Sequence, residues 1–306
     1  MSVYIIFDSL GAAQVTGRGK NILDVFKNNL NTRELSLIKQ TWVKLNNITR
    51  QIPYFNLKVF SKSVSNIPKL ENLIVRTTKD KLLKENLPKV FSLIDKLVRP
   101  KFKGNKYLDP ILFKKHFKHA LLKTQTLSLL DQFRKFLGDY ADKETLKIQV
   151  AIVWQPNYAS SSAIKPNLII LGISKDFNIY SILRVLFHES LHLQYDPFLG
   201  KLRFKLVGKK PKITQKQTNF LTTFNEALAY LWHYDYFETE CLKNKSRLEK
   251  GLREKNRWNP HHLAFALKMK PLVDEYRITH KEIDQDFLKQ TRPFYDKVMQ
   301  KYPNLI

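Results

Sequence analysis

Ile179-Tyr180-Ser181-Ile182-Leu183-Arg184-Val185-Leu186-Phe187-His188-Glu189-Ser190-Leu191-His192-Leu193 has the length and apolar composition of a buried helix, and it contains the run H-E-x-x-H at 188–192. Residues four apart on a helix lie one turn above each other, so both imidazoles can face a single metal ion while Glu189 projects beside them. Neutral imidazole is a good zinc ligand, and a catalytic zinc site takes three protein ligands and keeps one position open for water. Zinc lowers the pKa of that water towards about 7, and a neighbouring carboxylate can take the proton as attack begins. Glu189 is placed for this second role and not for ligation.

A third ligand has to come from elsewhere. The metzincin extension would need Gly at 195 and His at 198, where this chain has Tyr195 and Phe198. Downstream, Phe220 to Trp232 reads as a second helix with Phe220, Phe224, Leu228 and Leu231 as its apolar stripe, and Glu226 sits just off that stripe. The pairing of H-E-x-x-H with Asn225-Glu226-Ala227 resembles the gluzincin metallopeptidases, the class that includes thermolysin-like and aminopeptidase N-like enzymes. The resemblance covers about Leu168 to Trp232. It implies His188, His192 and Glu226 as ligands of one zinc ion per chain, with Glu189 as the catalytic base. The lysine-rich segment from Pro197 to Gln217 is longer than the corresponding gap in the best-known members, and loop insertions of this kind cost little free energy. Tyr230 stands where thermolysin-like enzymes carry an acidic residue that orients a zinc histidine, so its hydroxyl is the expected acceptor of that imidazole proton.

Alternation and β-branched residues predict strands at Ile148–Trp154 and Leu168–Ile173. In gluzincin-like folds the strand before the motif helix edges the cleft and pairs with extended substrate, a role that falls here on Leu168–Ile173, with a central core strand as the alternative. Val3–Phe7 reads as a further strand. From Asn21 to about Asp142 the pattern is amphipathic helix, broken near Pro53, Pro68, Pro88, Pro100 and Pro110, with a long helical stretch over Ile111–Tyr140. After Tyr236 helices return, with Asn259-Pro260 marking one start and Pro271 and Pro293 read as first-turn prolines. The expected fold class is α+β, mainly helical with a small mixed β-sheet beside the H-E-x-x-H helix. The expected organisation is a basic helical region over 1–142 followed by a zincin-like region over 143–306 with a helical C-terminal part, as two domains or one continuous domain.

Stabilising the oxyanion of a peptide-bond transition state calls for a hydroxyl or imidazole donor in addition to zinc. Tyr230 and His233 are the nearest candidates in sequence, followed by Tyr236, Tyr276 and His280. Adjacent residues point to different helix faces, so His261-His262 reads as a solvated helix start. His116 and His119 lie among Lys114, Lys115 and Lys118 on a basic helix face. There is no phosphate-binding or dinucleotide glycine fingerprint, and the lone Cys241 has no identifiable base for a triad.

The chain has 306 residues, 53 basic against 27 acidic for a net charge of +26, and a single cysteine. That length allows a substantial core, and one cysteine allows no intramolecular disulfide. Met1–Phe7 is apolar but meets Asp8 at once and has no basic leader, so no signal peptide is expected. No run approaches the roughly 18 apolar residues that span a bilayer. The expectation is a cytoplasmic protein without a membrane span.

The main functional expectation is a zinc-dependent metallopeptidase acting on peptide or protein substrates. No G-x-M-E-N-type segment precedes His188 to hold a free amine, which tilts the reading towards an endopeptidase. The positive charge attracts polyanions without specificity, so non-specific nucleic acid is a possible partner. That charge keeps open a nucleic-acid-associated metallopeptidase analogous to SprT-like enzymes, and a non-catalytic zincin-fold binding protein is the third reading.

Overall fold

The computed structural model describes residues 29–51, 80–102, 110–141, 148–154, 160–164, 168–173, 178–195, 212–253 and 259–302. The strand expected at Val3–Phe7 and the breaks at Pro53 and Pro68 lie outside them. The helices are α1 (Thr32–Gln51), α2 (Lys81–Phe102), α3 (Pro110–Thr124), α4 (Thr126–Leu137), α5 (Ile179–Gln194), α6 (Gln215–Leu231), α7 (Leu248–Arg253), α8 (Pro260–Ile278) and α9 (Gln285–Lys301). A 3-10 turn, Gly138–Tyr140, follows α4, and a π-helix, Trp232–Cys241, continues α6. Three short strands, β1 (Gln149–Trp154), β2 (Ser160–Ile164) and β3 (Leu168–Ile173), lie between α4 and α5.

The chain forms two compact units, and neither is a single stretch. One comprises 1–117 with 147–182, the other 118–146 with 183–306, in place of the single division expected after residue 142. In the first, α1 packs on α2, and β3 lies between β1, to which it runs parallel, and β2, to which it runs antiparallel. The edge role expected for Leu168–Ile173 is therefore corrected. Both of its hydrogen-bonding sides are taken, and Ile169 and Leu171 are buried.

The second unit, which carries His188, His192 and Glu226, has no strand or sheet among its described residues. Helix makes up about four fifths of what is described overall. The expected α+β class, with a mixed sheet beside the motif helix, is corrected to a mainly helical fold. The reason lies in the packing: the apolar stripes in this unit close helix against helix, α6 on α8 and α8 on α9, with α4 against the π-helix. The predicted stripe Phe220, Phe224, Leu228 and Leu231 is buried throughout, and Phe133, Phe136, Phe187, Phe237, Phe265 and Phe287 complete the core. Among the described residues no helix is long and apolar enough to cross a membrane.

Several helix starts follow local rules. Asn31 and Glu34 satisfy each other's backbone N–H at α1, Thr214 and Gln217 form a capping box at α6, and Asp284 accepts from the Phe287 N–H at α9. Pro260 occupies the first turn of α8, as its position after Asn259 predicts.

Other prolines depart from expectation. Pro88 and Pro100 lie within α2, and Pro271 and Pro293 lie inside α8 and α9 and not in their first turns. An interior proline costs about 3 kcal/mol. In α8 that cost is offset by burying Phe265, Met269, Leu272 and Val273. The long helix expected over Ile111–Tyr140 is divided at Gln125, whose φ of 52° breaks the helical path. The basic face of α3 is exposed as expected, with Lys114, Lys115, His116, Lys118 and His119 all open to solvent.

Gly138 ends α4 with φ 53° and ψ −123°, and a Cβ built there would lie 2.0 Å from Glu282 Oε2 and 2.9 Å from its Cβ. Both the backbone conformation and the Glu282 side chain therefore oppose a side chain at this position. Gly138→Ala is expected to destabilise the fold by about 1–3 kcal/mol, read as a lowered urea midpoint. An unchanged midpoint would show that the α4 end relaxes freely.

Candidate metal centre

Ile182, Leu183, Leu186, Phe187, Leu191 and Leu193 bury α5 on its apolar sides. The 188 and 192 positions are left on the partly exposed face, one turn apart. Their imidazoles meet at 3.1 Å between Nε2 atoms, with ring centroids 4.7 Å apart. Glu226, on α6, brings Oε2 to 3.9 Å from His188 Nε2 and Oε1 to 3.6 Å from His192 Nε2. One donor atom from each of the three residues falls within 4.8 Å of the others, the arrangement a single metal ion requires.

The chemistry of this donor set fits a divalent cation. Burial, then the neighbouring His192 and His233 charges, holds His188 well below the ordinary histidine range, so its imidazole is neutral, which is the ligating form. Glu226 is pushed upwards by burial and by the Glu189 charge, against the opposing pull of His192. A cation between the three relieves that penalty. His192 Nδ1 lies 3.2 Å from Asn225 Oδ1, and in the tautomer that donates Nδ1–H to this amide oxygen, Nε2 keeps its lone pair for a metal.

Asn225 is the orienting residue that the sequence did not single out. It is fixed in turn by Tyr195, whose hydroxyl donates to its backbone carbonyl at 3.1 Å. The imidazole-orienting role expected of Tyr230 is filled, for His192, by this amide. Tyr230 instead lays its ring against His188, with centroids 5.4 Å apart and planes 30° from parallel, and stacks its other neighbour Tyr234 at 5.2 Å. His233 is buried, with its ring 5.3 Å from that of His188. Both short-range donor candidates are thus at the His188 side of the centre.

The distant candidates are engaged elsewhere. The Tyr236 hydroxyl donates to Asp274 at 2.6 Å, that of Tyr276 to Asp284 at 2.8 Å, and His280 is exposed just beyond the end of α8. His261 and His262 do begin a helix, but the expectation that they are solvated is overturned: both are buried. The His262 ring lies 6.1 Å from Tyr230, and burial followed by the His261 charge pushes its pKa down to about 3. The turn of α8 that carries them packs inwards with Leu263 and Phe265.

Behind the histidines, Arg184 of α5 grips Glu238 of the π-helix with Nε at 2.7 Å and Nη2 at 3.2 Å. Burial alone would raise the Glu238 pKa, but hydrogen bonds from Arg184 and Asn244, with the charges of Arg184 and Arg247, bring it below the ordinary glutamate range. Because the folded-state value is the lower one, the carboxylate stabilises the fold at all pH above the unfolded glutamate range. That contribution is lost as pH falls through the folded value. In chelator-treated protein the stability gap between wild type and Glu238→Gln is therefore expected to be full near neutrality and to shrink in acid. Urea midpoints across that range measure it, and a gap independent of pH would refute the assignment.

Compared with models of protein families, with curated proteins and with solved structures, the chain gives no match.

Proposed function

We propose that the chain is a zinc-dependent metallopeptidase, with His188, His192 and Glu226 as zinc ligands and Glu189 as general base. The observation that carries this reading is the convergence of two imidazole nitrogens and a carboxylate from two helices within 4.8 Å, in a motif whose remaining carboxylate lies outside that group. Zinc bound there would polarise a peptide carbonyl and make water acidic enough to be deprotonated near neutrality. Glu189 takes the proton from the attacking water as its oxygen bonds to the carbonyl carbon, and delivers it to the nitrogen as the C–N bond breaks. Asn225 holds His192 in the tautomer that presents Nε2. Tyr230 and His233 flank His188 and are the candidates to donate to the developing oxyanion.

Elemental analysis of purified protein tests the metal assignment. One zinc per chain is expected in the wild type and none in Glu226→Ala. A wild type that takes up no zinc even when the metal is offered would refute the proposal.

A further inference from the structure

The two helices that carry the ligands are tied at a second level, below the donors. Three contacts run in order down the seam between α5 and the π-helix. His188 faces His233 at 5.3 Å, Phe187 stacks on Phe237 at 4.6 Å, and Arg184 pairs with Glu238. Among the described residues this is the one arginine–carboxylate pair that joins α5 to the continuous α6–π-helix segment.

The pairing depends on how the segment is wound. In an α-helix, at about 100° per residue, position 238 lies about 140° around from position 233, so His233 and Glu238 could not both face α5. Bonding from i to i+5 sets residues five apart nearly above one another. The Leu242 N–H bonds to the Phe237 carbonyl in that pattern at 3.1 Å. The winding thus delivers a wholly buried carboxylate to the helix of the motif, one turn before His188. Glu238 also accepts from Asn244 at 2.9 Å and Arg247 at 3.4 Å, so the anion is held from the π-helix side as well.

We propose that Glu238 is a positioning residue for the metal centre: through Arg184 it locks the register of α5 against the α6–π-helix segment and so sets the distance between the two histidines and Glu226. The inference rests on the metal reading given above. Ligands contributed by two separate elements must be held within about 0.5 Å to keep affinity, and supporting contacts of this kind are worth roughly 10- to 100-fold in metal binding.

Asp235 supplies the control. It is buried on the same π-helix but pairs with Lys270 of α8, away from α5, and Lys270 keeps Asp274 at 3.0 Å if Asp235 is neutralised. Zinc affinity is measured on the full chain by competition with a chromogenic chelator, and the visible spectrum is recorded with cobalt in place of zinc. Glu238→Gln is expected to bind zinc roughly 10- to 100-fold more weakly and to shift the cobalt spectrum. Asp235→Asn is expected to leave both near wild type, even where its melting temperature falls as far.

Zinc affinity in Glu238→Gln within about threefold of wild type, or an equal loss in Asp235→Asn, would overturn the inference. If Glu238→Gln does not fold, Arg184→Met removes the α5 end of the bridge and leaves Glu238 paired with Arg247 and Asn244. A zinc-free wild type refutes the metal reading itself, and the positioning claim is then judged from the nuclear Overhauser contact between the His188 and His233 rings. Its loss in Glu238→Gln with retention in Asp235→Asn supports the claim, and retention in both overturns it.

Discussion

Glu189→Gln is expected to keep one zinc per chain and to lose roughly 10²- to 10⁴-fold in hydrolysis of an internally quenched peptide. The two halves of this result have separate causes. Zinc is retained because Glu189 lies outside the ligand triad, and because replacing it removes a like charge that acts on Glu226. Activity falls because an amide can neither accept the proton of the attacking water nor return it to the leaving amine. Glu226→Ala should also be inactive, but by the other route, through loss of the metal. Measuring zinc and turnover on the same samples separates the two: a Glu189→Gln protein that loses its zinc would make Glu189 a ligand, and one that keeps both zinc and full turnover would remove it from the chemistry.

Trp232→Ala should cost about 3–5 kcal/mol of stability, the range for removing a large buried aromatic side chain. Trp232 is fully buried where α6 passes into the π-helix. Its ring meets Phe133 at 4.9 Å, Tyr236 at 5.2 Å and Phe136 at 5.7 Å, and the Arg277 guanidinium lies 4.9 Å from its centroid. Phe136 also packs on Phe287 and Tyr236 is hydrogen-bonded to Asp274, contacts that oppose their movement into the vacated volume. Its Nε1 has no hydrogen-bond partner, so truncation leaves no buried acceptor stranded and the loss is one of packing. Ile278→Ala, at a side chain 78% exposed, provides the contrast and should fall within about ±0.5 kcal/mol. Urea unfolding of both variants decides it, and a loss below about 1 kcal/mol for Trp232→Ala would mean that this aromatic cluster does not hold α4 to the π-helix.

Features that depend on spacing along one element were legible before any fold was known. The four-residue interval from His188 to His192 puts two imidazoles on one helix face in any helix, and the stripe from Phe220 to Leu231 fixes which side of α6 turns inwards, leaving Glu226 at its margin. Thr214 with Gln217, and Asn259 with Pro260, set helix starts through groups only a few residues apart.

Features that depend on a partner far along the chain emerge only once the helices are packed. Asn225 is an ordinary amide until His192, 33 residues earlier, presents Nδ1 to it, and Glu238 is an ordinary surface-type residue until Arg184, 54 residues earlier, meets it. The parallel pairing of Leu168–Ile173 with Gln149–Trp154, the burial of His261 and His262, and the passage of α8 and α9 through Pro271 and Pro293 are of the same kind. In each, a local preference of a few kcal/mol or less competes with packing and pairing that exist only in the folded chain, and the long-range contacts win.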